Sequence, residues 1–265
     1  MELLQIEEPG ERGDAVEDAG LAVALELTDT ALRLAASVGG NAEPMRDAAG
    51  GIDLLPAVAG YDDSGILVAG QPGLADLSAI GLDSMTMPDK QDARGATVAD
   101  RVALLVQAAG RRLVQLTGRA IAGAVVIVPL DSTAGLRLAL MQAIEAGGIP
   151  VWRLVESSVA LALGGGLDRH EAGEYVHLSD VPAGIGVARL EHAGGTVRLV
   201  GGAVARHVDE VSALIQAEGA VRGLIAPGIE AAGAIAATLG VPLLDGFDGK
   251  ERALLGAALL AEALG

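Results

Sequence analysis

Residues 124–166 read AVVIVPLDSTAGLRLALMQAIEAGGIPVWRLVESSVALALGGG, and the fold is decided there. Residues 124–128 are a continuous, mostly β-branched run, the composition of a strand covered on both faces. Pro129 ends it. Ser132 or Thr133 caps the next helix, in which Leu136, Leu140 and Ile144 recur on one face. Gly147 and Gly148 offer a left-handed exit into a second strand over residues 151–155. Two strands joined by a helical crossover run parallel, and ligands of such sheets gather where the strands end. Glu156 stands at such an end, and Ser157 opens another helix. An acid there has two readings: a charge satisfied at a helix N-terminus, or a general base.

The whole chain bounds the class. Its 265 residues suffice for one large domain or two small lobes, and a 51% hydrophobic content supplies a substantial core. Aromatics are 2%, so Ala, Val, Leu and Ile must fill that core. A formal charge of -17 argues against nucleic acid or an anionic membrane as partner. Cysteine is absent, which excludes disulfides and makes a zinc site improbable, the more so because His170, His177, His192 and His207 show no ligand spacing. No apolar run approaches the ~20 residues of a membrane span, so the expectation is a soluble, cytoplasmic protein.

Along the chain, residues 1–20 are acidic, glycine-bearing and aperiodic, and read as a flexible tail. Residues 21–27 and 31–38 are apolar runs around Thr28-Asp29-Thr30, the pattern of a hairpin. A second extended pair flanks Asp62-Asp63-Ser64-Gly65. Residues 81–96 show no period and are expected as surface loop. Residues 97–117 form a long amphipathic helix opened by Thr97 and Asp100. The second half repeats the theme: a hairpin around residues 179–184, a run at 197–202, a helix at 208–218, a strand at 223–226, a helix ending near Leu239, a short strand at 241–244 and a helix at 250–264.

Val128-Pro129, Ala146-Gly147, the strand leading to Glu156 and the closing Leu255-Gly256-Ala257-Ala258 together resemble the ATPase domain of DnaK-type heat-shock chaperones, in the actin and sugar-kinase superfamily. The resemblance covers roughly residues 21–264. It implies an α/β fold of two actin-like (ribonuclease H-like) lobes: residues 21–155 as the first and 156–265 as the second. It also implies two phosphate loops, an adenosine loop and a catalytic carboxylate. By this alignment the first phosphate loop is Glu26-Leu27-Thr28-Asp29-Thr30, where the family has Asp-Leu-Gly-Thr-Thr. The second is His177-Leu178-Ser179-Asp180-Val181-Pro182, where the family has Asp-Leu-Gly-Gly-Gly-Thr. Gly228 falls in the adenosine loop and Glu156 at the catalytic acid. The family's catalytic lysine has no convincing counterpart, Lys90 being read as solvated surface. The insertion that covers adenine in the family is missing.

These replacements bear on chemistry. Phosphate loops use glycine so that backbone N–H groups reach the oxygens, and Pro182 has no N–H to give. Asp29 and Asp180 would repel a phosphate; like charges ~5 Å apart at an effective dielectric of ~20 cost about 3 kcal/mol. His177 replaces an acid that would organise magnesium's waters. Glu26, Asp29, Glu156 and Asp180 also form an oxygen-ligand set of the type a divalent cation takes. The expectation is a pseudo-ATPase that binds or scaffolds another protein, without cofactor. The alternative is a working ATP–magnesium ATPase, chaperone-like or a reactivase-type regulator of a partner enzyme. The Ala-rich faces of the last two helices suit self-association and core packing equally.

Overall fold

The computed structural model describes residues 20–249 and 251–265; the acidic stretch expected as a tail lies, apart from Gly20, outside the described residues. The protein is a mixed α/β molecule. Its strands begin with β1 (Leu21–Leu27), β2 (Ala31–Val38), β3 (Asn41–Pro44) and β4 (Leu55–Pro56). Next come β5 (Val58–Tyr61), β6 (Leu67–Ala69), β7 (Ala75–Ala79), helix α1 (Val98–Thr117) and strand β8 (Ile121–Val128). Helix α2 (Ala134–Ala146) leads to β9 (Val151–Glu156), and α3 (Ser157–Gly164) follows at once. The second half holds β10 (Gly173–Val181), β11 (Gly184–Ala193), β12 (Thr196–Ala205), α4 (Val208–Ala217), β13 (Gly223–Ile225), α5 (Ala232–Leu239) and α6 (Arg252–Leu264).

The crossover read from residues 124–166 is present. β8 runs parallel to both β1 and β9, and β2 and β3 extend the sheet antiparallel on the other side. The order is β3-β2-β1-β8-β9, with β4 added to β2. The second sheet, β12-β11-β10-β13, has the same plan: a hairpin-linked antiparallel trio, then a parallel neighbour for its first strand. A parallel bridge from Leu224 to Leu243 starts a fifth position where a strand was expected at 241–244.

Alternation along β1 explains the layering. Val23, Leu25 and Leu27 pack with Leu105, Val106 and Leu113 of α1 and with Leu140 and Ile144 of α2. Ala24, on the other face, packs with Val159 and Ala160 of α3 and Leu254 and Ala258 of α6. Tyr175 and Leu190 of the second sheet join that same cluster. The far face of the second sheet, with Val176 and Leu178, packs on Val211 of α4 and Ile235 of α5. The order through the molecule is therefore helices, sheet, helices, sheet, helices, with α3 and α6 in the middle. The Ala-rich face of α6 is spent on this core, where Ala257, Ala258 and Ala261 are fully buried.

Small residues make that middle layer thin. A methyl group on Gly164 would sit 1.9 Å from the Arg252 carbonyl, and one on Gly256 1.9 Å from that of Ala160. Gly164 is thus a helix-packing position, while Gly166 (φ 82°) supplies the left-handed turn. α1 opens with the reciprocal Thr97–Asp100 capping box, and Thr133 caps α2. Of the two exit glycines after α2, Gly148 alone is left-handed.

The segment after Gly70-Gln71-Pro72 forms β7, closing a small sheet β6-β5-β7. Two local expectations are corrected. Residues 81–96 are not all surface: a 3-10 turn, Leu82–Thr86, carries Met85 fully buried into the core. The β10–β11 ladder runs on through Val181 and Gly184, leaving Pro182 and Ala183 as a tight turn.

Candidate functional site

The ends of β1, β8 and β10 converge on a pocket of about 260 Å³ between the two sheets. Glu26, Thr28, Asp29, Ser179 and Asp180 line it, together with Ser157, Leu130 and Leu82. Five of the eight residues singled out from sequence therefore meet in one place. Thr30, Glu156 and Gly228 do not line it; Gly228 sits at φ 75° in the turn after β13.

The first hairpin loop closes on itself. Thr28 N–H donates to the Ala31 carbonyl at 2.9 Å, and its hydroxyl accepts from Thr30 N–H at 3.3 Å and Ala31 N–H at 3.0 Å. That is the turn a hydroxyl residue forms with its own backbone. Glycine would leave those donors without this acceptor. The loop is also clamped from outside: Asp83 N–H donates to the Asp29 carboxylate at 2.8 Å, and Leu82 N–H to the Thr28 carbonyl at 3.3 Å. Gly81 makes the approach possible, since a methyl group there would lie 2.3 Å from Asp29 Cα.

Glu26 is the last charged residue of β1, and the register sets Arg33 of β2 directly opposite. Arg33 Nη1 donates to Glu26 Oε2 at 3.0 Å and its Nε to Asp53 Oδ1 at 2.6 Å. Burial pushes the Glu26 carboxyl above its ordinary range, and the adjacent guanidinium offsets only part of that. Burial opposes the Arg33 charge too, but the bonds to Asp53 and Glu26 outweigh it and hold the guanidinium charged. A sequence signal existed: Arg33 is the lone charged residue in the mostly apolar run ALRLAASV.

Glu156 caps nothing: as the residue before α3 it makes no side-chain bond to the helix, and Arg137 of α2 takes its Oε1 at 2.8 Å. Arg137 also donates to the Ser132 hydroxyl at 3.0 Å, so its fork ties the strand end to the loop before α2.

On the second sheet His177 is buried, its Nδ1 2.9 Å from the Ser158 hydroxyl of α3. Burial lowers its pKa from 6.5 to about 4, so it is neutral at physiological pH. Leu130 reaches across from the first half: methyl groups placed on Gly202 and Gly186 would lie 3.0 and 3.5 Å from it. The chain between β8 and α2 is thus seated on glycines of β11 and β12, filling part of the space between the sheets.

Among the described residues no group of three or more His, Asp or Glu comes together to hold a metal ion. None of their helices is long and apolar enough to cross a membrane. No family model matches the chain. No protein of curated function matches it either.

Proposed function

We propose that the chain is a two-lobed, actin-like protein whose nucleotide cleft has closed up, and that it acts by binding or scaffolding another protein. Support for the frame comes from the shared strand order of the two sheets, each with the hairpin of its first strand turned toward the pocket between them. Residues 218–222 alone join α4 to β13, which is no room for a subdomain covering adenine. The first lobe is residues 21–155 and the second 156–265, with α6 returning across the molecule to β1 and β2.

One observation carries the functional half: the groups that would grip a magnesium triphosphate are already engaged within the protein. The Thr28 hydroxyl holds the N–H groups of Thr30 and Ala31, Arg33 holds Glu26, and Arg137 holds Glu156. Pro182 contributes no donor to the opposite turn. A pocket of about 260 Å³ is below the ~300–1,000 Å³ of ordinary small-molecule sites. These residues do not fit the cofactor, and no hydrolytic step is assigned to Glu156.

The second reading, a working ATPase or reactivase-type regulator, is favoured by the meeting of Thr28, Asp29, Ser179 and Asp180 across one pocket. Titration calorimetry with magnesium-ATP separates the two. The expected result is no heat. Micromolar binding that weakens in Glu26→Ala or Glu156→Gln overturns the scaffold reading in favour of the ATPase.

A further inference from the structure

A larger cavity lies away from the cleft. It measures about 490 Å³ and is enclosed by the small sheet, the start of α1 and residues 87–94. The 3-10 turn that sends Leu82 into the cleft sends Ser84 into this cavity. Its charge runs against that of the chain. Among the described residues, Lys90, Arg94 and Arg101 line it with Asp92 as the single acid, in a molecule of net charge -17. The nearby acids Asp89 and Asp100 line a different groove, between α1 and α2.

Asp92 has no capacity left for an incoming cation. Its Oδ1 accepts from the N–H groups of Arg94 and Ala96 at 2.8 and 2.9 Å, and its Oδ2 accepts from the Tyr61 hydroxyl at 2.6 Å and from Arg101. The Tyr61 bond, with those backbone donors, holds the carboxyl well below its usual range, so it stays ionised and balances Arg101. Arg101 is buried, donating one Nη to the Ser78 hydroxyl and the other to Asp92, while its Nε–H is buried with no acceptor. Arg94 lies 3.9 Å over the Tyr61 ring and stiffens the wall. Lys90, one of only two lysines in the chain, makes no ion pair among the described residues. The remaining wall is mostly apolar, with Ile80, Met87, Val98, Ala79 and the Tyr61 ring, and Ser84 and Gln91 are its polar members.

We infer that this cavity binds a small organic carboxylate with an apolar body. A concave, mostly apolar wall with a few cations of one sign is the general form of such a site, and its volume lies within the usual ~300–1,000 Å³. The guanidinium fork that grips phosphate in a bidentate manner is already spent on Ser78 and Asp92. Lys90 is left as the chief contact, a point charge suited to a monoanion. The apolar wall excludes an ion as small as acetate from binding well.

The test is an NMR titration of the isotope-labelled protein with hexanoate, and in parallel with hexanol, acetate, inorganic phosphate and a capped glutamyl peptide. Hexanoate is expected to give saturable shifts confined to Tyr61, Ser78 and residues 87–101, with hexanol and acetate at least tenfold weaker. Lys90→Gln, at an exposed position that leaves the fold intact, is expected to weaken hexanoate about tenfold, the loss of one charge-assisted contact. Equal binding of hexanol, unchanged affinity in Lys90→Gln, or no saturable shift overturns the assignment. Phosphate binding more tightly than hexanoate overturns the carboxylate, and tighter binding of the peptide replaces the small ligand with an acidic protein segment. None of these outcomes depends on whether the cleft holds nucleotide.

Discussion

Glu26 and His177 occupy equivalent places in the two sheets. Glu26 stands near the end of β1 and His177 at the middle of β10, and each has an isoleucine opposite it on the parallel neighbour, Ile127 for Glu26 and Ile225 for His177. The strands solve the same problem differently. An ionisable group at a covered sheet centre must be paired or neutral, because desolvation penalises an isolated charge. The first sheet pairs its carboxylate with Arg33 from the adjacent strand. The second leaves its imidazole neutral and gives it a hydroxyl partner, Ser158. Both solutions remove a group from service at the pocket, and they should fail in opposite ways when disturbed.

Arg33→Met tests the paired solution and should have the largest effect. It leaves the largely buried Glu26 without its cation, a loss expected at about 3 kcal/mol in urea unfolding at neutral pH. The deficit should shrink at pH 5, because the carboxyl, already raised by burial, takes up a proton once its cation is gone. Adding Glu26→Gln should recover most of the stability at pH 7.5. A single variant with wild-type stability at both pH values would mean that Glu26 is solvated and free to act.

The neutral solution is tested by pH alone. The folded pKa of His177 is lowered from 6.5 to about 4, so between these values the unfolded chain binds more protons than the folded one. Its contribution is intact above about pH 6.5 and is lost as the pH falls toward 4, amounting to about 3 kcal/mol at the bottom of that window. Glu26 acts with the opposite sign, since its raised pKa favours the folded state as acid is added. The comparison must therefore be between the protein and His177→Gln, measured by urea unfolding at pH 7.5, 6 and 5. The variant should show the shallower loss.

How much of this was legible in the sequence depends on whether the signal was local. The β8–α2–β9 crossover and the Thr97–Asp100 capping box could be read because apolar period and capping chemistry lie within a few residues of each other. The facing of Thr28 and Asp29 toward Ser179 and Asp180 came only through the order of a distributed resemblance, since no spacing along the chain reports a contact between sheets. β10 was read too short because Ser179 and Asp180 are polar, yet their ladder bonds need only the backbone. The roles of Arg33 and Arg137 were missed. Pairing across a register is invisible until the register is known, although a lone arginine in a buried strand was a sign that some acid must face it. Met85 was missed because a single anchor in an aperiodic segment has no period to announce it.

The two turns differ as the two strands do, one held from outside and one self-contained. Gly81→Ala would set a methyl group against the Asp29 backbone, which cannot swing away, and should cost about 2 kcal/mol. Gly186→Ala would meet the Ser179 hydroxyl at 2.8 Å, a side-chain atom free to rotate, and should cost less than about 1 kcal/mol. Equal losses in thermal unfolding would mean that the outer clamp on the first loop contributes nothing.

Thr28→Gly carries a modest stability change and the most specific meaning. Removing the hydroxyl deletes the acceptor for Thr30 and Ala31, and glycine adds freedom to the unfolded chain, together about 1–2 kcal/mol. Amide exchange should quicken at Thr30 and Ala31 while staying unchanged at Ser179, whose turn has its own ladder. If the closed loop alone kept nucleotide out, this one change would restore magnesium-ATP binding. It should not, because Glu26 stays engaged by Arg33 and Pro182 still offers no donor across the pocket. Binding that appears in Thr28→Gly would move the obstacle from the whole cleft to a single hydroxyl. Binding that appears only when Arg33→Met is added would assign the ion pair an equal share in keeping the cleft closed.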